Sequence, residues 1–217
     1  MSPEMKDCKE QLSRREREKL RHRLEIIEAA TKVFAQKGFH VATLDEVAQE
    51  AEFSKGALYL HFSSKEDLLF SIVEHKMHHH TESFLAELNT EHHFKQVLSD
   101  MYKRMAELAF GDQDFFKLVM TQYANGYSVF SDENSAKLKE VHDKFWIKLL
   151  EIVDSAREKG ELRVAESRSI IGLIHGSVDS MMMTRWGCDD LECLKNAVNS
   201  FIDILFNGIA KERETVQ

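Results

Sequence analysis

Between residue 4 and residue 217 the chain contains no proline; its single proline is Pro3. A proline-free stretch of that length can run as helix after helix without an imposed kink. The nine glycines stand singly, at 38, 56, 111, 126, 160, 172, 176, 187 and 208. An all-β chain of this size needs much denser Gly/Pro punctuation than that. Charged residues make up 30% and hydrophobic ones 43%, a balance that supports a packed core rather than disorder. No apolar run approaches the roughly 18 residues that a membrane span requires. Residues 1–13 lack the apolar stretch of a signal peptide. The three cysteines, Cys8, Cys188 and Cys193, form a sparse and odd set. With no export signal, the expectation is a reducing, cytoplasmic location and small core or surface roles for these thiols.

Charge is distributed unevenly. Residues 12–65 carry 10 Lys/Arg and 8 Asp/Glu, whereas residues 66–217 carry 17 and 26, within a formal total of −8. Six of the basic residues, Arg14, Arg15, Arg17, Lys19, Arg21 and Arg23, fall within ten positions. A basic head on an acidic body is compatible with polyanion binding through the head. The same run also reads as a solvated helix face.

Helical periodicity dominates. Leu20, Leu24, Ile27, Thr31 and Phe34 recur at helical spacing, and Gly38 closes the segment. Thr43-Leu-Asp-Glu46 has the form of a capping box, followed by Leu44, Val47, Ala48 and Ala51 on one face. Ser54 caps a short segment, Lys55–His61, and Ser63 or Ser64 caps a long helix after it. Further helices are expected near 92–110, 112–126, 134–159, 167–186 and 190–210. Two short helices joined by Ala51-Glu52-Phe53 have the helix-turn-helix arrangement, whose second helix can enter a major groove.

The run Phe34-Ala-x-x-Gly38-Phe39, Thr43-Leu-Asp-Glu-Val-Ala48, Phe53-Ser-Lys-Gly-Ala-Leu-Tyr-x-His-Phe62 and Ser64-Lys-Glu-Asp-Leu-Leu69 closely resembles the DNA-binding domain of the tetracycline-repressor family. About 45 contiguous residues carry the resemblance; the rest matches only as helices of suitable length. It implies an all-α chain: an N-terminal three-helix helix-turn-helix domain followed by a C-terminal helical ligand-binding and dimerisation domain. The divisions expected are a basic and polar extension over 1–19, the DNA-binding domain over 20–65 and the body over 66–217.

By position in that pattern, Thr43, Ser54, Lys55, Gly56, Ala57, Tyr59, His61 and Lys65 are the expected DNA contacts. Arg14 and Arg15 join them as part of a basic arm. Leu58 is expected to pack inward, with Phe34, Val47, Ala48 and Phe62 forming the small core of the head. The implied partners are a double-stranded DNA operator, a small-molecule effector and a second copy of the chain, with no membrane. The implied role is that of a repressor released by its effector.

The body is rich in aromatics and methionine, which serve either as core or as an adaptable apolar pocket. Candidate pocket residues are Met105, Phe116, Met120, Tyr123, Tyr127, His142, Phe145, Trp146, His175, Asp179, Met182 and Trp186, with Arg185 a further polar group. The effector expected there is apolar or amphipathic. Candidate dimer residues are Ile170, Leu173, Gly176, Val198, Phe201, Ile202 and Leu205; Gly172 and Gly176 would let two helices approach closely.

Rival classes find less support. His75 and His79 share a helix face at a metal-binding spacing, but no His-Glu-x-x-His occurs, and no carboxylate has a histidine three residues on, as a di-iron bundle needs. Gly-x-Ser-x-Gly, P-loop and Gly-x-Gly-x-x-Gly motifs are absent, so neither an enzyme nor a cofactor or metal is expected. The alternative retained is a metal-binding or non-DNA-binding small-molecule sensor on the same all-helical fold.

Overall fold

A computed structural model describes residues 13–87, 92–124, 129–162 and 166–208, apart from the side chains of 87, 120 and 122–124. The described residues form nine α-helices and no strand: α1 (Arg14–Lys37), α2 (Leu44–Glu50), α3 (Lys55–Tyr59), α4 (Lys65–Glu87), α5 (Phe94–Gly111), α6 (Gln113–Ala124), α7 (Asp132–Glu158), α8 (Ser167–Thr184) and α9 (Leu191–Asn207). The fold is all-α, with the helix-turn-helix at its N-terminal end.

The chain divides into two compact units. One is Met1–Lys76 with Lys117–Ser135; the other is Met77–Phe116 with Ala136–Gln217.

In the first unit, α1 begins six residues earlier than the Leu20 periodicity suggests. Ser13 accepts from the Glu16 amide at 3.3 Å, and the Glu16 carboxylate accepts from the Ser13 amide at 2.8 Å. That reciprocal cap satisfies two orphan amide donors, so Arg14–Lys19 are helical rather than an extended arm. Gly38 ends α1 at φ 84, a conformation that disfavours a Cβ. Thr43 and Glu46 form the expected capping box on α2. Glu52 makes the turn to α3 at φ 58, and Ser54 caps α3 by accepting from the Ala57 amide at 3.1 Å. Ser64 caps α4 through the Asp67 amide, while the Asp67 carboxylate accepts from the Ser63 amide and hydroxyl. Phe34, Val47, Ala48, Leu58 and Phe62 are all buried, as the helical faces require.

The second unit has its own core. Tyr102, Leu98, Leu149, Val153, Ile174, Met181, Leu194 and Val198 are fully enclosed, and α5 packs extensively on α9. Burying side chains of this kind contributes about 1.5–3 kcal/mol each. Tyr102 is the polar member. Its hydroxyl meets Ser177 Oγ at 2.5 Å and the Ile174 carbonyl at 3.2 Å. Burial pushes its phenol up to about 12, against the opposing pull of Ser177. The amide of Phe94, at the start of α5, donates to the Glu161 carboxylate at 2.6 Å. A residue 67 positions away therefore caps that helix.

Candidate nucleic-acid interface and effector-domain clusters

On the outer side of the head, Thr43, Ser54, Lys55, Gly56, Tyr59 and Leu60 are exposed, and Ala57 is half-buried. Leu60 is 79% exposed and Val41 74%, both unusual for aliphatic side chains. Sequence reasoning missed this pair. Their polar neighbours gave the only signal, since an apolar residue at the end of a reading helix can meet thymine methyl groups.

Gly56 lies inside α3 and its φ is not positive. A Cβ there would meet nothing nearer than Ser54 Oγ at 4.0 Å. Neither backbone conformation nor packing within the chain requires glycine at this position. Glycine costs a helix interior about 0.5–1 kcal/mol relative to alanine.

Several charged groups of the head already have partners within it. Lys55 Nζ lies 2.6 Å from the Asp45 carboxylate, which raises the lysine pKa. Glu46 is held down to about 2, first by the hydrogen bond from Lys37 at 2.6 Å and then by the Thr43 amide and hydroxyl. Lys65 donates to three backbone carbonyls, of Phe39 at 2.7 Å, His40 at 3.2 Å and Ala42 at 2.9 Å. Arg23 also works inside the unit. Its guanidinium donates to the His61 carbonyl at 2.9 Å and to Ser71 Oγ at 2.7 Å, and lies 4.4 Å over the Phe62 ring. His61 is half-buried, with Nδ1 shielded. Burial lowers its pKa, aided by His22, Lys19 and Arg23 nearby. Arg14 and Arg15 are exposed on the first turn of α1.

In the second unit the structure gathers four pocket candidates into one half-buried cluster. The Trp146 indole N–H donates to His142 Nε2 at 2.8 Å. His142 is thereby a neutral acceptor, and burial lowers its pKa, with His175 acting in the same direction. The His175 ring lies 4.4 Å from the Trp146 ring and 5.6 Å from His142. Its Nδ1 is 3.1 Å from the Asp179 carboxylate. Phe145 is buried beside Trp146 and Phe84.

Trp186 lies in a different group, against Tyr102 and Phe201. Arg185 lies over the Phe110 ring at 4.6 Å. Phe116 neighbours His80 and Phe115. Met105 and Met182 are half-buried against the core. Tyr127 and the side chains of Met120 and Tyr123 lie outside the described residues. A surface groove of about 680 Å³ lies apart from these clusters, lined by His93, Lys95, Gln96, Asn199, Asp203 and Phe206 among others.

Of the dimer candidates, Leu173 and Gly176 are exposed, and Ile170, Phe201 and Leu205 are half-buried. Val198 and Ile202 are enclosed in the chain's own core, on α9, which packs against α5. Met183 and Ile204 are exposed apolar residues on the same two helices and were not anticipated. Gly172 and Gly176 have open space where a Cβ would be.

The cysteines require a correction. Cys188 and Cys193 are not separate small residues but a disulfide pair, their Cα atoms 5.6 Å apart across the turn into α9. Among the described residues no group of three or more His, Cys, Asp or Glu could hold a metal ion. No described helix is long and apolar enough to cross a membrane.

A capped helix-turn-helix heading an all-helical body defines a transcriptional regulator. Residues 26–72 match the model of bacterial regulatory proteins of the tetR family. Those residues are a helix-turn-helix domain of the tetR-family type. It is 27% identical over 189 residues to the fatty acid metabolism regulator protein of Bacillus subtilis (strain 168), covering 86% of this chain and 94% of that one. The fold is similar to that of the transcriptional regulator FadR from Bacillus subtilis in complex with stearoyl-CoA, with TM-score 0.71, 24% identity and coverage of 86% and 99%. It is also similar to that of AibR in complex with isovaleryl coenzyme A and operator DNA, with TM-score 0.69, 20% identity and coverage of 85% and 98%. The relatives are named as regulators, not enzymes.

Proposed function

We propose that the chain is a cytoplasmic repressor that binds a palindromic DNA operator as a homodimer and is released by an amphipathic effector with an acyl chain. The DNA-binding part runs over residues 20–65, with the basic residues before it assisting, and residues 66–217 bind the effector and the second copy. Gly56 carries the DNA reading: glycine there serves nothing inside the chain, so it leaves room for a partner at the helix surface. The exposed Ser54, Lys55, Tyr59 and Leu60 around it supply hydroxyl, ammonium and apolar contacts. Lys55 exchanges Asp45 for a phosphate on binding, and the exposed Ser54 hydroxyl, whose oxygen caps α3, donates its proton beside it, while Thr43 acts by fixing the start of α2 through Glu46. His61 and Lys65 act mainly by fixing the helix that does the reading.

The acyl reading draws on the relatives: one regulates fatty acid metabolism, and two similar folds hold acyl-CoA molecules. In the second unit the His142–Trp146–His175–Asp179 cluster offers polar groups beside aromatic surface, which suits a ligand with a polar head on an apolar body. An effector shifts the equilibrium only by its differential affinity for the bound and released states, typically about 1–3 kcal/mol. The second copy is supported by the exposed Leu173, Met183 and Ile204 with Gly172 and Gly176. Two reading helices are also what a palindrome demands.

The test is fluorescence anisotropy on DNA from upstream of the gene, across a salt series, with and without a series of saturated acyl-CoAs. Saturation at an even number of chains, preference over scrambled DNA and a steep loss with salt support the DNA reading. Release by long acyl-CoAs and not by free CoA supports the effector. Equal weak binding to both DNAs contradicts the first, and release independent of the acyl chain contradicts the second.

A further inference from the structure

The turn from α8 to α9 combines two features that the DNA and effector reading does not use. Arg185, Trp186 and Gly187 follow one another at φ 49, 49 and 76. L-residues with side chains avoid that region, so two of these three positions are held there by their surroundings. Trp186 is held by ring contacts to Tyr102 at 6.3 Å and Phe201 at 5.2 Å. Arg185 is held by the Phe110 ring. The next residue, Cys188, is buried and joined to Cys193 in the first turn of α9, where the Asp190 side chain caps the helix by accepting from the Cys193 amide at 2.8 Å. The disulfide thus joins two cysteines five positions apart, directly beside the left-handed turn.

The two sulfurs are not equivalent. Cys193 is exposed and Cys188 is buried. A reagent from solution reaches Cys193 first, and Cys188 is positioned to resolve whatever forms there.

We infer that Cys193 and Cys188 form a reversible thiol–disulfide switch, oxidised by hydroperoxides, which sets the conformation of the Arg185–Gly187 turn. In the forward direction the Cys193 thiolate takes the distal oxygen of a hydroperoxide ROOH. It becomes a sulfenic acid, and the alcohol ROH departs after protonation. The Cys188 thiolate then attacks the sulfenic sulfur, the S–S bond forms and the sulfenic oxygen leaves as water. The balance is two thiols and one hydroperoxide giving one disulfide, one alcohol and one water. In the reverse direction a dithiol attacks the exposed Cys193 sulfur and expels the Cys188 thiolate, forming a mixed disulfide with Cys193; its second thiol then closes the reductant's own disulfide and releases the Cys193 thiolate. With the pair open, the tie next to Gly187 is gone, and Trp186 is free to leave Tyr102 and Phe201 for an ordinary backbone conformation.

The test uses the full-length chain carrying Cys8→Ser and Trp146→Phe, so that one cysteine pair and one tryptophan, Trp186, remain. Cleavage after Arg185 and Lys195 leaves both cysteines in a single peptide, Trp186–Lys195. Addition of cumene hydroperoxide to the reduced protein is expected to lower that peptide's mass by about 2 Da, two hydrogens lost, and dithiothreitol is expected to restore it. Trp186 emission is expected to shift between the two states with the same reversibility. In Cys193→Ser both responses disappear. A peptide that stays reduced under hydroperoxide, or a disulfide that dithiothreitol does not open, overturns the switch. So does emission that is identical in the two states. None of these readouts involves DNA or effector, so they stand apart from the regulator reading.

Discussion

Lys65, the first residue of α4, donates to the backbone carbonyl of Phe39 at 2.7 Å and lies 4.6 Å over the same residue's ring. With the His40 and Ala42 carbonyls as further acceptors, its ammonium closes the loop between α1 and α2. A lysine expected to face phosphate is thereby a fastener of the head. Lys65→Ala leaves three carbonyls without their donor, and hydrogen bonds to a charged group contribute about 1.5–3 kcal/mol. The expected result is a lower thermal midpoint of the head, read by circular dichroism, together with weaker DNA binding whose salt slope is unchanged. A normal midpoint with a salt slope reduced by about one would instead make Lys65 a phosphate contact.

Leu173 is 54% exposed on α8, whereas Val198 is enclosed on α9. Leu173→Glu is expected to give folded monomers in sedimentation, because it burdens only the face offered to a second copy. Val198→Glu is expected to unfold the second unit instead, since it buries an unpaired charge. Dimers that survive Leu173→Glu would move the dimer surface elsewhere.

The pH dependence follows from the lowered His142 pKa. A histidine whose folded pKa lies below its unfolded value near 6.5 binds fewer protons folded than unfolded in the interval between the two. Stability therefore falls as pH drops from above 6.5 toward the folded pKa, by at most about 1.4 kcal/mol per pH unit for one such group. His61 is lowered in the same sense and adds to the effect. Replacing both in His61→Asn/His142→Asn is expected to flatten the melting temperature between pH 7 and 5. An equally steep fall in the double variant would place the titrating groups elsewhere.

Asp45 holds Lys55 at 2.6 Å on the outer surface of the head. Asp45→Asn releases that ammonium and removes a negative charge that a phosphate would meet. DNA binding is expected to tighten several-fold at low salt, for specific and scrambled DNA alike, in the anisotropy assay. Weaker binding would show that Asp45 is itself needed for the bound geometry.

Local patterns were legible in the sequence and distant partners were not. The Thr43–Glu46 box, the Ser54 cap and the inward Leu58 each depend on spacings of three or four residues, which a helix repeats wherever it occurs. The Ser13–Glu16 box obeys the same rule but stands ahead of the periodic apolar stripe, which begins only at Leu20. By contrast, Lys65 finds its carbonyls 23 to 26 residues away, and Glu161 caps Phe94 across 67. No local periodicity encodes those pairings. The Cys188–Cys193 link stands beside a left-handed turn containing Arg185 and Trp186, residue types that give no warning of such a turn. In the body, periodicity showed which residues face inward together, but not that Trp146 would meet His142 while Trp186 joins Tyr102. Those choices follow from how helices cross.

Gly56→Ala tests the central claim most directly. Measured on the full chain, thermal stability is expected to rise slightly, by about 0.5–1 kcal/mol, because alanine suits a helix interior and the site is open. Affinity for operator DNA is expected to fall at least tenfold, because the added methyl occupies the space left for the DNA. Unchanged affinity in a stabilised variant would contradict the account, since Gly56 would then have no partner outside the chain.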